Sequence, residues 1–432
     1  MKLYEGLIKK RLVKKLEKEG LLSSAQAAYR KSMSTSDHIF VLQEMILAYR
    51  FDRRGPRGGL KIPLYICFLD LRKAFDMVPR ELLFQKLFEL GVQGKLFRVI
   101  TDLYSRNGAK VLVNGYFSRD FTINSGVLQG SKLGPILFNI FINDLLDKLN
   151  QSGYGALLGN VRIAALGFAD DVVLISDKII NMQKLLDIAY NWASDNGMFY
   201  NLKKCKGMAF NRSSKGINLF MGSTKIEFVK SYKYLGILLS STRLTNLYSE
   251  HFKKVIEKAE RRLQCIMHYG FHKDGLRTET SIRMYKLLVR PILEYGAQVL
   301  IYRNYFLASK SKKSVDVIEL ATHAKKLENF QTQALKRLLN CPRHVPPAIV
   351  RLFAGVQPIS ARLDFLKLRY FWRLSKTSRT SISKIVYDIR RKEFLRSNKG
   401  FLHESICCKY NARAFGKVHA EEIVTQWFGE KR

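Results

Sequence analysis

The strongest constraint in this sequence comes from acids standing where apolar strands should run unbroken. Asp70 ends the run Tyr65-Ile66-Cys67-Phe68-Leu69, and Asp170-Asp171 interrupt the stretch from Leu166 to Ile175. A carboxylate set into an apolar strand is costly unless something positive neutralises it. Lys or Arg can serve one such group, but several converging carboxylates are better matched by divalent cations. Magnesium accepts a few carboxylates, keeps some waters and takes substrate phosphates as its other ligands. Two such ions about 4 Å apart activate an attacking oxygen and stabilise a leaving one in phosphoryl transfer. Successive strand residues point to opposite faces, so Asp170 and Asp171 cannot both face one site from flat strand. At a tight turn they diverge less, which makes Asp170 the expected direct ligand and Asp171 a looser or outer-sphere partner. Taken singly, each is an ordinary strand-end or turn aspartate; the set, in a strongly basic chain, points to metal chemistry.

That basic balance narrows the partners. Lys and Arg number 74 against 36 Asp and Glu, a net charge of +38 over 432 residues. Such an excess repels itself unless a polyanion sits among the charges, so nucleic acid is the first partner expected and anionic membrane the second. With 47% hydrophobic and 12% aromatic residues, the chain can bury a large core and is not disordered over most of its length. The cysteines (Cys67, Cys205, Cys265, Cys341, Cys407, Cys408) are scattered without CxxC spacing, which argues for free thiols in a reducing compartment. The basic opening MKLYEGLIKKRLVKKLEKEGLL contains Glu5, Glu17 and Glu19, whereas transit peptides are poor in acids, so it reads as a structural helix. No uncharged apolar stretch of about 18 residues occurs, and no spanning helix is expected. A soluble, intracellular protein is the resulting expectation.

Helical spacing dominates the pattern. Ile39, Leu42, Ile46 and Leu47 define a one-faced helix from Thr35 to about Arg50, followed by a charged turn from Arg53 to Gly59. Ile62 to Leu69 reads as a buried strand, and Pro79 opens a helix that Gly91 ends. A hairpin is predicted around Asn114-Gly115, a helix from Pro135, and a second hairpin with Ala169-Asp170-Asp171 at its turn. A further helix carries Leu185, Leu186, Ala189 and Trp192 and stops at Gly197. Beyond about Thr245 the chain is nearly all helical and basic, as in Lys253, Lys254, Lys258, Arg261 and Arg262, with Lys310 to Ser314 the best candidate linker.

FLDLRKAFDMVP at 68–79, GVLQGSKLGPILFNIFINDLL at 126–146 and FADD at 168–171 resemble the polymerase motifs of reverse transcriptases, most closely those of non-LTR (LINE-type) retrotransposons. Weaker matches follow the family's order: QAAYRKSMSTSDHI at 26–39, NLKKCKGMAF at 201–210, KYLGILLS at 233–240 and LENFQTQALKRLLNCPR at 327–343. FADD alone would be a weak signal; seven segments in order are a strong one.

The resemblance implies an α+β right-hand polymerase with an antiparallel palm sheet, followed by a mostly helical basic extension. Partial fingers are expected at 1–60, the palm with catalytic hairpin and primer grip at 61–240, a helical thumb at 241–308 and the extension at 315–432. Asp70, Asp170 and Asp171 match the metal-binding aspartates, with two Mg2+ (or Mn2+) as cofactors. Phe75 falls where the family places a steric gate against a ribose 2′-OH; spacing alone favours a core phenylalanine, and the assignment of Asp70 favours the gate. Gln129 and Gly130 match a loop that packs on the incoming nucleotide, with Ser131 and Gly134 as small-for-small departures. Lys204 matches a lysine that protonates the leaving pyrophosphate, with Lys203 and Lys206 as neighbours in register. Tyr234, Leu235 and Gly236 match the primer-grip turn. Arg30 matches a fingers arginine near template or triphosphate, against a solvated helix-start arginine. The implied partners are an RNA template, a DNA or RNA–DNA primer duplex and dNTPs, with no membrane, and the nucleus as a site of action if the parent element inserts there. The family's fingers segment with an Arg-Pro pair, and an endonuclease, would lie outside this sequence, so a fragment of a retroelement is expected. The rivals are a truncated RNA-binding remnant, a group II intron-type maturase, and a viral RNA-dependent RNA polymerase. The last usually has an aspartate where this chain has Phe75.

Overall fold

The computed structural model describes residues 2–49, 62–105, 107–241, 247–268, 277–300, 315–378 and 380–397. The turn from Arg53 to Gly59, the linker from Lys310 to Ser314 and the end of the basic extension, with Cys407 and Cys408, lie outside them. Two compact units emerge: residues 1–38 with 48–229, and residues 39–47 with those from 230 onward. Residues 234–236, expected from the resemblance to form a primer grip, thus group with the second unit.

The chain opens with α1 (Lys2–Lys18), which buries Ile8, Leu12 and Leu16 along one stripe, and continues into α2 (Thr35–Leu47). Next comes β1 (Leu64–Asp70), whose first six residues are all buried. An unbroken apolar run suits a strand covered on both faces, and β1 is the centre of its sheet. Then follow α3 (Arg80–Glu89) and α4 (Gly94–Ser105). A projecting ribbon is made of β2 (Gly108–Ala109), β3 (Leu112–Val113), β4 (Tyr116–Phe117) and β5 (Phe121–Thr122), pairing β2 with β5 and β3 with β4. Its turn is Asn114-Gly115, with φ of 51° and 87°, as the Asn-Gly signal predicts.

Two helices, α5 (Gly134–Phe141) and α6 (Asn143–Gln151), lead to a small hairpin of β6 (Ala156–Leu158) and β7 (Val161–Ile163). The main hairpin is β8 (Ala165–Phe168) and β9 (Asp171–Ser176), followed by α7 (Ile179–Asp195). After β10 (Lys206–Phe210), a short hairpin of β11 (Phe220–Met221) and β12 (Thr224–Lys225) precedes β13 (Glu227–Phe228). The sheet order is β13-β10-β1-β9-β8. Its pairs are antiparallel, as expected, except that β13 lies parallel to β10. The connection through β11 and β12 is long enough to carry the chain back to the same end, which a parallel pair requires. Lys86 fastens the helices of this unit, donating to Asp144 Oδ1 at 2.8 Å and to the Phe141 carbonyl, while Trp192 Nε1 donates to Asp144 Oδ2 at 3.0 Å.

The second unit contains the hairpin of β14 (Ser231–Tyr234) and β15 (Ile237–Ser240). It continues with α8 (Ser249–Ile266), α9 (Thr278–Met284), a π-helical turn at Tyr285–Val289 and α10 (Arg290–Glu294). Pro291 lacks an N–H and cannot complete a regular ladder, which accounts for the widened turn before it. The helices α11 (Val315–Leu338), α12 (Pro347–Ala354), α13 (Ile359–Ser375) and α14 (Ile382–Ser397) follow. Buried Arg390 and Glu44 pair at 3.0 Å, and Phe40 lies edge-on to Tyr370 and Phe371, so residues 39–47 are held by α13 and α14. Among the described residues no helix is long and apolar enough to cross a membrane.

Candidate active site

The central strand pairing brings the acids together. Asp70 and Asp171 are direct partners in the β1–β9 register, and Asp171 also faces Phe168 across the hairpin. Residues directly opposite on antiparallel neighbours project from the same face. Asp171, read from sequence as the looser partner, therefore shares a face with Asp70. Asp170 sits in the turn beside Ala169, whose φ is +55°.

Two of the carboxylates, Asp170 and Asp171, are disturbed by their surroundings. Desolvation at the sheet end, then Asp170 and Asp70, push the Asp171 carboxyl up to about 6, while Lys204 opposes. Asp170 is also raised, first by desolvation and with a contribution from Asp70. Lys204 Nζ stands 3.4 Å from Asp70 Oδ2 and is 65% exposed. Its neighbour Lys206 is paired instead with Glu227. Of the lysines in register, Lys204 is the one found on a site acid. Backbone bonds hold its loop in place: Asn201 N–H donates to the Asp70 carbonyl at 2.7 Å, and Arg72 N–H to Phe199 at 2.8 Å. Among the described residues no three His, Cys, Asp or Glu side chains are drawn round a single point. Mutually repelling carboxylates that hold their protons too tightly are nonetheless the donor set a divalent cation relieves.

Phe75 stacks on Phe138 of α5, with ring centroids 4.7 Å apart and 15° between planes, and is half-buried, leaving part of the ring open. Its carbonyl accepts from Val127 N–H at 2.8 Å, which ties it to the loop before α5. Gln129 on that loop is exposed and donates to Asp76 Oδ1 at 2.7 Å. Gly130 has φ +81° with open space where a Cβ would stand, so its conformation, rather than close packing, calls for glycine there. Tyr234, Leu235 and Gly236 form the β14–β15 turn in the second unit, with φ of 45° at Leu235 and 81° at Gly236. Tyr295 braces this turn, its hydroxyl donating to the Leu235 carbonyl at 2.7 Å.

Arg30 departs from the expectation of a substrate contact. It makes a two-pronged pair with Glu17, at 2.8 Å for each bond, and donates to the Ser23 and Gln26 carbonyls. With its side chain only 9% exposed, it fastens α1 to the following segment and is not presented to a substrate.

Four residues escaped the sequence reading. Buried Gln26 accepts through Oε1 from Ala169 N–H in the β8–β9 turn at 3.0 Å. Glu5 of α1 accepts from the Ser131 hydroxyl and the Lys132 N–H, at 3.0 and 2.9 Å, just beyond Gly130. Arg80 donates to the carbonyls of Tyr104, Ile123 and Gly126 at the root of the ribbon. Tyr295 is the fourth. One usable signal was a lone carboxamide among alanines at Gln26; nothing local marks the others, whose partners lie far along the chain.

Residues 1–239 match the family described as reverse transcriptase (RNA-dependent DNA polymerase). The RNA-directed DNA polymerase from mobile element jockey of Drosophila melanogaster is 27% identical over 320 residues, 71% of this chain and 32% of that protein. A Pol polyprotein from the type-1 retrotransposable element R2 of Popillia japonica is 31% identical over 244 residues, 53% of this chain and 38% of that one. The chain thus spans about a third of the length of these relatives. Telomerase from Candida albicans, solved with an RNA fragment, aligns over 99% of this chain and 57% of its own at 11% identity and a TM-score of 0.48. With more than half of its length matched, the carboxylates of β1 and of the β8–β9 hairpin included, the chain is a member of the reverse transcriptase family.

Proposed function

We propose that this chain catalyses RNA-templated DNA synthesis, transferring dNTPs onto a primer 3′-OH in a right-hand polymerase of non-LTR retroelement type. The observation that carries the reading is the register pairing of Asp70 with Asp171, with Asp170 in the adjoining turn and Lys204 on Asp70. Asp70, Asp170 and Asp171 are the residues that would hold divalent cations. Bound in this position, two Mg2+ ions supply activation of the primer hydroxyl and neutralisation of the pyrophosphate.

The remaining roles belong to the chain's own groups. Lys204, beside Asp70, would hold a proton for the leaving pyrophosphate, a task that needs hydrogen-bond reach. The open part of the Phe75 ring, fixed by its stack on Phe138, fills the space of a ribose 2′-OH and selects deoxynucleotides. Gln129 and Gly130 line the incoming nucleotide. The turn Tyr234-Leu235-Gly236 positions the primer strand.

Primer extension on an RNA template with Mg2+ and dNTPs tests this, run beside Asp170→Ala and Phe75→Ala. Synthesis abolished by the first variant, and extended to ribonucleotides by the second, is the expected result. Metal-independent RNA binding without synthesis would instead leave a non-catalytic RNA-binding remnant.

A further inference from the structure

The turn that carries Asp170 and Asp171 is held from outside its own hairpin. β8 is the last strand of the sheet, and its free edge is met by residues 25–27. Ala27 N–H donates to the Gly167 carbonyl at 3.1 Å, and Gly167 N–H to the Ala25 carbonyl at 2.9 Å. These bonds stop at Gly167. Past it, Ala169 lies at φ +55°, a conformation that residues with a Cβ adopt only when their surroundings impose it. The side chain of Gln26, fully buried, takes over there.

Its Oε1 accepts two backbone donors, Ala28 N–H and Ala169 N–H, each at 3.0 Å. The orientation of the carboxamide is thereby fixed, because exchanging oxygen and nitrogen would set an NH2 group against both N–H donors. The segment bearing Gln26 is itself fastened to the helices after the Gln129 loop. Asn139 Nδ2 donates to the Ala28 carbonyl at 2.7 Å, and Asn143 Oδ1 accepts from Ser23 N–H at 2.7 Å. A rigid support therefore runs from α5 and α6 through residues 23–28 to the residue next to Asp170.

We infer that Gln26 is a positioning residue for the metal-binding turn, setting the backbone from which Asp170 and Asp171 project. The inference rests on the proposed function, since it concerns how those carboxylates meet a cation. It predicts that losing the Gln26 acceptor weakens divalent binding without weakening the hold on nucleic acid.

The test uses the full chain, Gln26→Met (similar shape, no acceptor) and Gln26→Glu. In either protonation state a glutamate here keeps an oxygen that accepts from Ala28 and Ala169 N–H as the amide oxygen does. Mn2+ binding is read directly from the free-ion electron paramagnetic resonance signal, beside RNA affinity and thermal stability. Gln26→Met is expected to weaken Mn2+ binding about tenfold or more, as loss of groups that orient metal ligands commonly does. RNA affinity should stay within about twofold, and Gln26→Glu should restore Mn2+ binding. Unaltered Mn2+ binding in Gln26→Met would overturn the inference. If Gln26→Met does not fold, amide exchange in the wild-type chain decides. Slow exchange at Ala169 supports the inference, and exchange as fast as in an exposed loop overturns it. Equal Mn2+ binding by wild type and Asp170→Ala would count against the metal-site reading itself, and the Ala169 amide would still report on Gln26.

Discussion

At the residue scale, Gly126 sets the tolerance of the loop between β5 and α5. Its φ is +83°, and a Cβ there would stand 2.7 Å from the Asp76 carbonyl oxygen, a backbone atom that cannot swing away. Strain of this kind costs about 1–3 kcal/mol before the overlap is counted. Gly126→Ala should lower the melting temperature and raise the KM for dNTPs more than it lowers RNA affinity, measured by steady-state primer extension and anisotropy. His251 shows the same dependence on a single group. Its Nδ1 accepts from Leu238 N–H of the β14–β15 hairpin at 3.3 Å, and burial, then Lys233, hold its pKa down near 4. His38, edge-on to Phe168, is likewise lowered to about 4 by burial. Both fold neutral, whereas an unfolded histidine titrates near 6.5. The unfolded state therefore binds more protons between about pH 6.5 and 4, and stability must fall as pH drops through that window. Thermal melts from pH 7.5 to 4.5 should show the decline, and His251→Leu should flatten part of it at a lower plateau. Neither histidine stands out in the sequence, because a buried acceptor is marked by its partner and that partner is not local.

At the scale of elements, Arg80 joins parts that its own helix does not reach. From the start of α3 it donates to Tyr104 at the end of α4, to Ile123 at the root of the ribbon, and to Gly126 in the loop before α5. Its burial lowers its pKa, first through desolvation, yet the carbonyls around it satisfy its fork of donors. Arg80→Met leaves those carbonyls without a partner, at about 1–3 kcal/mol. The melting temperature should drop, and faster amide exchange should appear at 123–127 before it spreads to β1. Exchange confined to α3 would show that the ribbon stands without this arginine. This fastening also explains what the sequence could reveal. The helices at Thr35, Pro79 and Ile179, the strand β1 and the Asn114-Gly115 turn were legible because their patterns are local. The parallel strand β13 and the 25–27 edge segment were not, since each is defined by a short pairing with a distant strand. The three aspartates were legible as acids out of place, but which of them shares a face depends on register, and a side-chain period alone does not fix that.

At the scale of the whole molecule, a charge of +38 has to be answered by the partner. The helix α8 shows how the sequence distributes it: Phe252, Ala259, Leu263 and Ile266 are buried, while Lys253, Lys258 and Arg262 are exposed. Ion pairs such as Lys254 with Glu250 at 3.0 Å neutralise only part of this face. Each phosphate contact releases condensed counterions, so binding should weaken linearly in log–log terms with salt. With about six to ten contacts, affinity would fall by roughly 10³–10⁵ between 50 and 200 mM salt. Lys253→Gln, Lys258→Gln and Arg262→Gln together keep good helix formers and the apolar stripe, so α8 should still fold. If this face tracks a phosphate backbone, the slope should become shallower by about one per lost contact, equally on RNAs of unrelated sequence. Fluorescence anisotropy across a salt series reads this directly. An unchanged slope would assign the phosphate contacts to other basic surfaces, and a loss confined to one RNA sequence would mean that α8 reads bases. Sequence-independent weakening is the expected outcome, because exposed cationic side chains on either side of the buried stripe of α8 serve phosphate contacts, which position a nucleic acid without carrying sequence information.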